Sequence, residues 1–369
     1  MSKRILFVAN VCKEHILKFH VPTIKMLKEN GWTVDVACSG TEFVPYCDHQ
    51  YQMSWKRSPF STSLIVGILE LKHILDRENY DVIYCHTPVG GLAARIAGRK
   101  ARKKGTKIIY FAHGLHFYKG APALNWIIYY PIEKILAKRT DVILTINNED
   151  YENAQKKLKV KKVFQLPGIG INLEAFNGVD VDEVRKQYRE KLNIPQDAFV
   201  LIYLAELLKN KNQQMIVEAL KLVVQKKPNT YLVLAGVDHT NGKFMDAVRQ
   251  SEVADKVIFL GWRDDKEKLY AMSDLCVASS IREGFGLNLV EALAMGLPIV
   301  ATDNRGHRTI VTDKKIGSLA EINDVKGFSE KILQSQNSSI SNITFRKEYA
   351  KKYSQERTLE TINDILTSV

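Results

Sequence analysis

Seventeen consecutive positions, Arg282-Glu283-Gly284-Phe285-Gly286-Leu287-Asn288-Leu289-Val290-Glu291-Ala292-Leu293-Ala294-Met295-Gly296-Leu297-Pro298, concentrate the chemistry of this chain. Gly284 and Gly286 flank Phe285 just ahead of a helix expected to begin near Leu287. Glycines there let the backbone come close to a ligand, and the N–H groups at a helix start favour an anion such as a diphosphate. Glu291 falls on the first turns of that helix, where a carboxylate can accept two sugar hydroxyls. Glu283 stands in the preceding loop. Eight residues apart, the two carboxylates can bracket a nucleotide sugar, one at each end. A second stretch, Tyr110-Phe111-Ala112-His113-Gly114-Leu115-His116-Phe117-Tyr118-Lys119, lies where a strand should end, and ligands of open α/β sheets bind at that edge. A lone histidine is more often structural, but His113 at a strand exit, followed by glycine and a second histidine, favours a functional role. No dedicated metal cluster is visible. There is no Asp-x-Asp flanked by apolar strand residues, and Asp264-Asp265 in its polar loop reads as a helix N-cap.

The elements that must hold these residues follow from periodicity. Strands are expected at Arg4–Ala9, Thr33–Cys38, Asp81–His86, Lys107–His113, Asp141–Ile146 and Lys162–Leu166, several of them continuous apolar runs of the kind covered on both faces. Helical patterns separate them at Ile16–Asn30, Ser63–Arg77, Gly90–Lys104, Asn125–Lys138 and Asn148–Leu158. Such alternation implies a doubly wound parallel sheet. The rhythm breaks at Pro167-Gly168-Ile169-Gly170 and starts again with strands at Phe199–Ala205, Tyr231–Ala235, Lys256–Leu260, Leu275–Ser279 and Ile299–Thr302. Helices are expected at Gln213–Gln225, Lys243–Ser251, Lys266–Met272, Leu287–Met295 and Val325–Gln334. We therefore expect two domains, 1–175 and 176–350, facing across a cleft. The final helical stretch, Ile343–Thr367, has no strand after it and can close either domain; the reading adopted packs residues from about 350 to 369 back on the first.

Length and composition agree with this. The chain has 369 residues, a prior for two domains, with 45% hydrophobic and 25% charged residues. That composition excludes disorder and collagen-like repeats, and no apolar run reaches the ~18–20 residues of a membrane span. The start, Met1-Ser2-Lys3-Arg4, runs straight into a strand without a secretory segment. Five scattered cysteines without CxxC spacing exclude a disulfide scaffold and read as reduced thiols of a cytoplasmic protein. Net charge is +12 and lopsided: residues 1–180 carry 26 Lys+Arg against 16 Asp+Glu, and the remainder 27 against 25. Arg99–Lys107 holds six cations in nine positions, and residues 155–162 add five. Trp126, Ile127, Ile128, Tyr129 and Tyr130 lie on a helix ending in Lys134, Lys138 and Arg139, a combination suited to an anionic headgroup interface. Nucleic acid is the competing anionic partner, but no nucleic-acid-binding module is present. A dinucleotide-dependent oxidoreductase is excluded because Val8-Ala9-Asn10-Val11-Cys12, not GxGxxG, follows the first strand.

The string from Arg282 to Pro298 resembles the signature of retaining glycosyltransferases of family 4 with the GT-B fold, bacterial capsular and exopolysaccharide members included. The resemblance spans nearly the whole chain and is strongest at residues 261–311. It implies that Glu283 contacts the donor sugar, Glu291 grips the ribose, and the backbone of Gly284, Phe285, Gly286 and Leu287 holds the diphosphate. Lys211 matches the family's diphosphate-binding lysine, while Glu206 stands where an arginine is usual, a departure that leaves one cation fewer and gives Lys211, with Lys209, more weight. Gly261-Trp262-Arg263 resembles the base-contacting loop; Trp262 also fits a core aromatic. On the acceptor side the resemblance points to His113 near the reacting sugar, together with His20, His116, Tyr118 and Lys119, and Pro167–Asn172 resembles the inter-domain hinge. It implies a UDP-sugar donor, a saccharide acceptor linked to undecaprenyl diphosphate, no metal or other cofactor, retention of configuration, and a peripheral location on the inner face of the cell membrane. A soluble GT-B transferase or a sugar-nucleotide epimerase is the alternative, although no catalytic acids for epimerisation are identifiable.

Overall fold

The apolar runs become the strands of two all-parallel sheets. In the computed structural model, which describes residues 2–56, 61–335 and 342–369, the chain divides into Met1–Gly170 with Gln355–Val369 (unit 1) and Ile171–Ser354 (unit 2). Unit 1 has seven strands: β1 Arg4–Val11, β2 Thr33–Ser39, β3 His49–Gln52, β4 Val82–His86, β5 Lys107–Phe111, β6 Val142–Thr145 and β7 Lys162–Gln165. Their order across the sheet is β3-β2-β1-β4-β5-β6-β7. Unit 2 has six: β8 Phe199–Leu204, β9 Thr230–Ala235, β10 Val257–Phe259, β11 Leu275–Ala278, β12 Ile299–Thr302 and β13 Gly317–Ala320, ordered β10-β9-β8-β11-β12-β13. Each order reverses direction once, between β1 and β4 and between β8 and β11. That reversal opens a crevice at the carboxyl ends of the two central strands.

Burial explains which strands the sequence revealed. β4, β6, β11 and β12 are buried at every position, as both-faces-covered strands must be. The edge strands β3 (His-Gln-Tyr-Gln) and β13 (Gly-Ser-Leu-Ala) carry no apolar run and were not foreseen; short polar strands are how sheets blunt their edges. The helix expected over Ile16–Asn30 divides in two. A π-helical stretch, Cys12–His20, precedes an α-helix, Val21–Glu29, whose Pro22 lacks the N–H that would continue the earlier turns. Gly90–Lys104 is likewise two helices, Pro88–Ala97 and Arg99–Lys103, meeting at Gly98. The terminal stretch splits around Lys351–Tyr353. Ile343–Ala350 stays with unit 2, and Gln355–Thr367 packs on the helix Val21–Glu29 of unit 1.

The aromatic helix, Ala123–Ala137, is held by a buried ion pair. Arg95 donates to Glu133 through both terminal nitrogens (2.6 and 2.9 Å), donates to the Gly91 carbonyl through Nε (2.8 Å) and lies 3.9 Å from the Tyr110 ring centroid. Trp126 and Tyr130 turn inward onto Phe117, and Tyr129 stacks on His116. This corrects the expectation of an outward aromatic belt. The outward face instead carries Leu124, Ile127, Ile132 and Ile135, with Lys134 and Lys138 exposed beside them. Of the basic run, Lys100 pairs with Asp76 and Arg102 with Asp141, so that run is less bare than its sequence suggests.

Candidate active site

In unit 2 the chemistry-bearing residues converge on the reversal point. The loop after β8 carries Glu206, Lys209 and Lys211, and the loop after β11 carries Glu283–Gly286. The two loops are laced together: Asn210 Nδ2 donates to the Arg282 carbonyl (2.9 Å), Ile281 N–H to the Asn210 carbonyl (2.8 Å), and Ser279 Oγ to the Lys211 carbonyl (2.7 Å). Lys211 Nζ forms a close ion pair with Glu283 Oε1, which also accepts from Ser280 Oγ (2.7 Å); Tyr203 OH stands 2.7 Å behind Ser280. Burial by itself would push the Glu283 carboxyl up. The charges of Lys211 and His307, with hydrogen bonds from Lys211 and Ser280, outweigh burial and hold it below the usual range.

Gly286 takes a φ of +117° that ordinary side chains avoid, which turns the chain into the helix Leu287–Ala294. The first N–H groups of such a helix have no acceptor within it and face the strand-end side. Phe285 is buried edge-on to Tyr353, and Gly284 lies in the turn between Glu283 and Phe285. Asn288, in the first turn, has a buried Nδ2 with no partner among the described residues. Glu291 is buried with Lys266 Nζ on Oε1 (2.8 Å) and Tyr270 OH on Oε2 (3.1 Å).

Sequence reasoning missed a supporting layer after β12. Asn304 caps the helix Arg305–Ile310 through Gly306 N–H (3.0 Å) and His307 N–H (3.1 Å), and its Nδ2 donates to the Ser280 carbonyl (2.9 Å). His307 Nδ1 lies 2.9 Å from the Thr302 carbonyl and 3.0 Å from Asn304 Nδ2. A methyl at Gly306 would meet the Phe285 carbonyl oxygen at 2.5 Å and Glu283 Cβ at 2.8 Å. Asparagine followed by a short helix is a cap signal that could have found this layer. Trp262 is 69% exposed, so the core reading is excluded. Asp265 stands at a helix start but does not cap it. Its carboxylate takes a two-nitrogen grip from Arg263 and a hydrogen bond from Tyr188, and the Arg263 bond above all keeps it ionised. Glu206 is half-exposed, 3.8 Å from His239 Nε2.

In unit 1, His20 and His113 come together at the β1/β4 reversal point with two histidines the sequence did not single out, His15 and His86. His116, Tyr118 and Lys119 lie apart from this group. His116 is stacked on Tyr129, the Tyr118 carbonyl accepts from Ala121 N–H (3.0 Å), and Lys119 is exposed with its N–H on Glu149.

Two doubly wound units, with paired carboxylates and a lysine at a glycine-led helix start, define a GT-B glycosyltransferase. Comparison with known proteins carries the same message. Residues 184–355 match the family model "Glycosyl transferases group 1", and residues 4–147 match "Glycosyl transferase 4-like". The chain is 40% identical over 372 residues to the putative glycosyltransferase EpsD of Bacillus subtilis, covering 100% of this chain and 97% of that one. It is 26% identical over 287 residues to the Escherichia coli UDP-Gal:alpha-D-GlcNAc-diphosphoundecaprenol alpha-1,3-galactosyltransferase, covering 75% and 72% of the two chains. Among solved structures, HepE of Anabaena in complex with UDP and glucose superposes with a TM-score of 0.78 over the whole of both chains at 18% identity. The protein belongs to this family: it is a glycosyltransferase of the family 4 type.

Proposed function

We propose that the protein moves a sugar, with retention of configuration, from a UDP-sugar to a saccharide acceptor carried on undecaprenyl diphosphate, in the assembly of a bacterial surface polysaccharide. The observation that carries this is the convergence of Lys211, Glu283 and Glu291 on one helix start in unit 2. A nucleotide sugar brings its own leaving group, so the enzyme's task is to stabilise the departing diphosphate and position the acceptor hydroxyl. The N–H groups from Phe285 to Leu287 and the Lys211 ammonium serve the first need without a metal. Glu291 accepts the ribose hydroxyls, sharing Lys266 and Tyr270 as its fixed donors. Trp262, exposed on its loop, together with Arg263, offers a flat surface to the base. Glu283 orients the donor sugar. The bond from the sugar's anomeric carbon to the diphosphate breaks as the acceptor oxygen bonds to the same face of that carbon, and the acceptor's proton leaves with the diphosphate oxygen. On the acceptor side His116, Tyr118 and Lys119 orient the sugar, while His20 and His113, held at the end of the π-helical stretch and at the exit of β5, position that side rather than attacking the sugar.

The E. coli relative named above acts on a diphosphoundecaprenol-linked sugar, which supports the acceptor class. No helix among the described residues is long and apolar enough to cross a membrane. We assign membrane contact to the apolar outward face of the helix Ala123–Ala137 and its flanking lysines, on the cytoplasmic side where such an acceptor is exposed.

The test is a screen of UDP- and GDP-sugars by thermal shift and hydrolysis, with the product anomer read by NMR. The wild type is expected to be stabilised by UDP-sugars with or without EDTA. Glu291→Ala and Lys211→Ala should each bind donor at least about tenfold more weakly, the loss of roughly one charge-assisted hydrogen bond. Equal donor binding by all three proteins removes the site assignment, and an inverted product removes retention.

A further inference from the structure

Four histidines from three separate segments meet in unit 1. β1 runs into the π-helical stretch Cys12–His20, which carries His15 and His20; His86 ends β4; His113 follows β5. One ring nitrogen from each lies within 4.8 Å of the others. His15 Nε2 and His20 Nε2 are 3.1 Å apart, and the His20 and His86 ring centroids 3.9 Å apart. The residues around them, Phe7, Phe19, Tyr84 and Phe111, are aromatic, and no carboxylate belongs to the group.

Two features of this cluster call for an occupant. Both ring nitrogens of His86, fully buried, and Nε2 of His113 have no hydrogen-bond partner among the described residues. Buried polar atoms in folded proteins nearly always have one, from protein, water or an ion, and leaving them bare costs stability. The backbone is also held in an uncommon form to make the cluster. His15 and His20 are five residues apart, a spacing that an α-helix turns to different sides but a π-helix, with its i to i+5 bonding, brings to one side. Thr87, directly after His86, has a φ of +62°, an outlier for a β-branched residue.

We propose that His15, His20, His86 and His113 bind one divalent transition-metal ion of the zinc type. Four imidazole nitrogens form a tetrahedral donor set for zinc, and at the usual zinc–nitrogen length their mutual separation is about 3.3 Å, close to the His15–His20 distance. Imidazole nitrogen suits zinc, copper, iron or nickel rather than magnesium or calcium. The ion ties the segment after β1 to the ends of β4 and β5. With four protein ligands filling a tetrahedral shell, it is a clamp rather than a reagent.

The experiment uses the full chain, stripped with EDTA and desalted. Zinc is titrated against a chromophoric chelator, and cobalt(II) is added separately as a probe of tetrahedral nitrogen ligation through its visible absorption. The wild type and His73→Ala, which changes a histidine outside the cluster, are expected to bind one equivalent with a tetrahedral cobalt spectrum. His86→Ala and His15→Ala should bind more than about 100-fold more weakly, beyond what losing an outer partner costs. Resistance of unit 1 to limited proteolysis and UDP binding by unit 2 are both measured on every variant, so an unfolded unit 1, or failure of the donor assignment, is read separately from loss of metal. No stoichiometric binding by the wild type, or undiminished binding by folded His86→Ala and His15→Ala, overturns the proposal.

Discussion

The pair Lys211–Glu283 carries a charge balance that can be measured. Glu283 is kept ionised in a buried place by one lysine and one serine. Its carboxyl titrates lower in the folded chain than in the unfolded one, so on acidification the unfolded chain takes up the proton first. The stabilisation is complete above about pH 4.3, the ordinary glutamate value, and is lost as pH falls through the folded value. Denaturant unfolding between pH 6 and pH 3 is expected to steepen the loss in the wild type relative to Glu283→Gln. At pH 7, Lys211→Ala strands the carboxylate and should cost about 1–3 kcal/mol, but much less when made in the Glu283→Gln background. Equal costs in both backgrounds would mean the pair stabilises nothing. Glu283, Gly286 and Glu291 could be read from sequence because they are contiguous with one helix start. Ser280, Tyr203, Asn304 and His307 could not, because β8, β11 and β12 bring them together from positions far apart in the chain. His15 and His86 were hidden for the same reason: each is a lone histidine until β1, β4 and β5 set them side by side.

At the scale of elements, the helix Ala123–Ala137 exposes more apolar surface than a helix serving only its own core. Its anchor is a single buried carboxylate, Glu133, gripped by Arg95, with Leu136 and Ala137 beneath. Ile127 is 70% and Leu124 62% exposed, with Ile135 close behind. Flotation with vesicles containing anionic lipid should bring the wild type to the top at low salt, and Ile127→Glu with Ile135→Glu should leave it at the bottom without lowering its melting temperature. Wild-type protein that stays at the bottom under all salt conditions overturns the membrane assignment. The sequence pointed to this helix but not to the face it exposes. Hydrophobic pattern alone reads Trp126, Tyr129 and Tyr130 as equal candidates, and only Phe117 and His116 decide that these turn inward. The edge strands β3 and β13 were invisible for a different reason: sheet edges are selected for being short and polar, which erases the apolar signal that strands are recognised by.

For the whole molecule, the division between units is not a division of the chain into halves. Unit 2 is one continuous segment, whereas unit 1 is completed by Gln355–Val369. Thr358, Ile362, Ile365 and Leu366 are buried on that last helix; three fully buried aliphatic side chains contribute about 5 kcal/mol, comparable to the net stability of a domain. A chain ending at Ser354 is expected to keep UDP binding in unit 2 while unit 1 becomes susceptible to limited proteolysis and loses cooperative melting. A protease-resistant unit 1 in that truncated chain would show the helix to be dispensable. The same arrangement sets an order of events on the ribosome. Residues up to 170 emerge first but lack their closing helix until all of unit 2 has been made, a delay of about 10–40 s at ordinary elongation rates. Through that interval the apolar side of the helix Val21–Glu29 that receives the closing helix stays uncovered. The nascent first domain is therefore a natural client for chaperones, and slowing translation within unit 2 should lower the yield of folded enzyme even though no residue of unit 1 has changed.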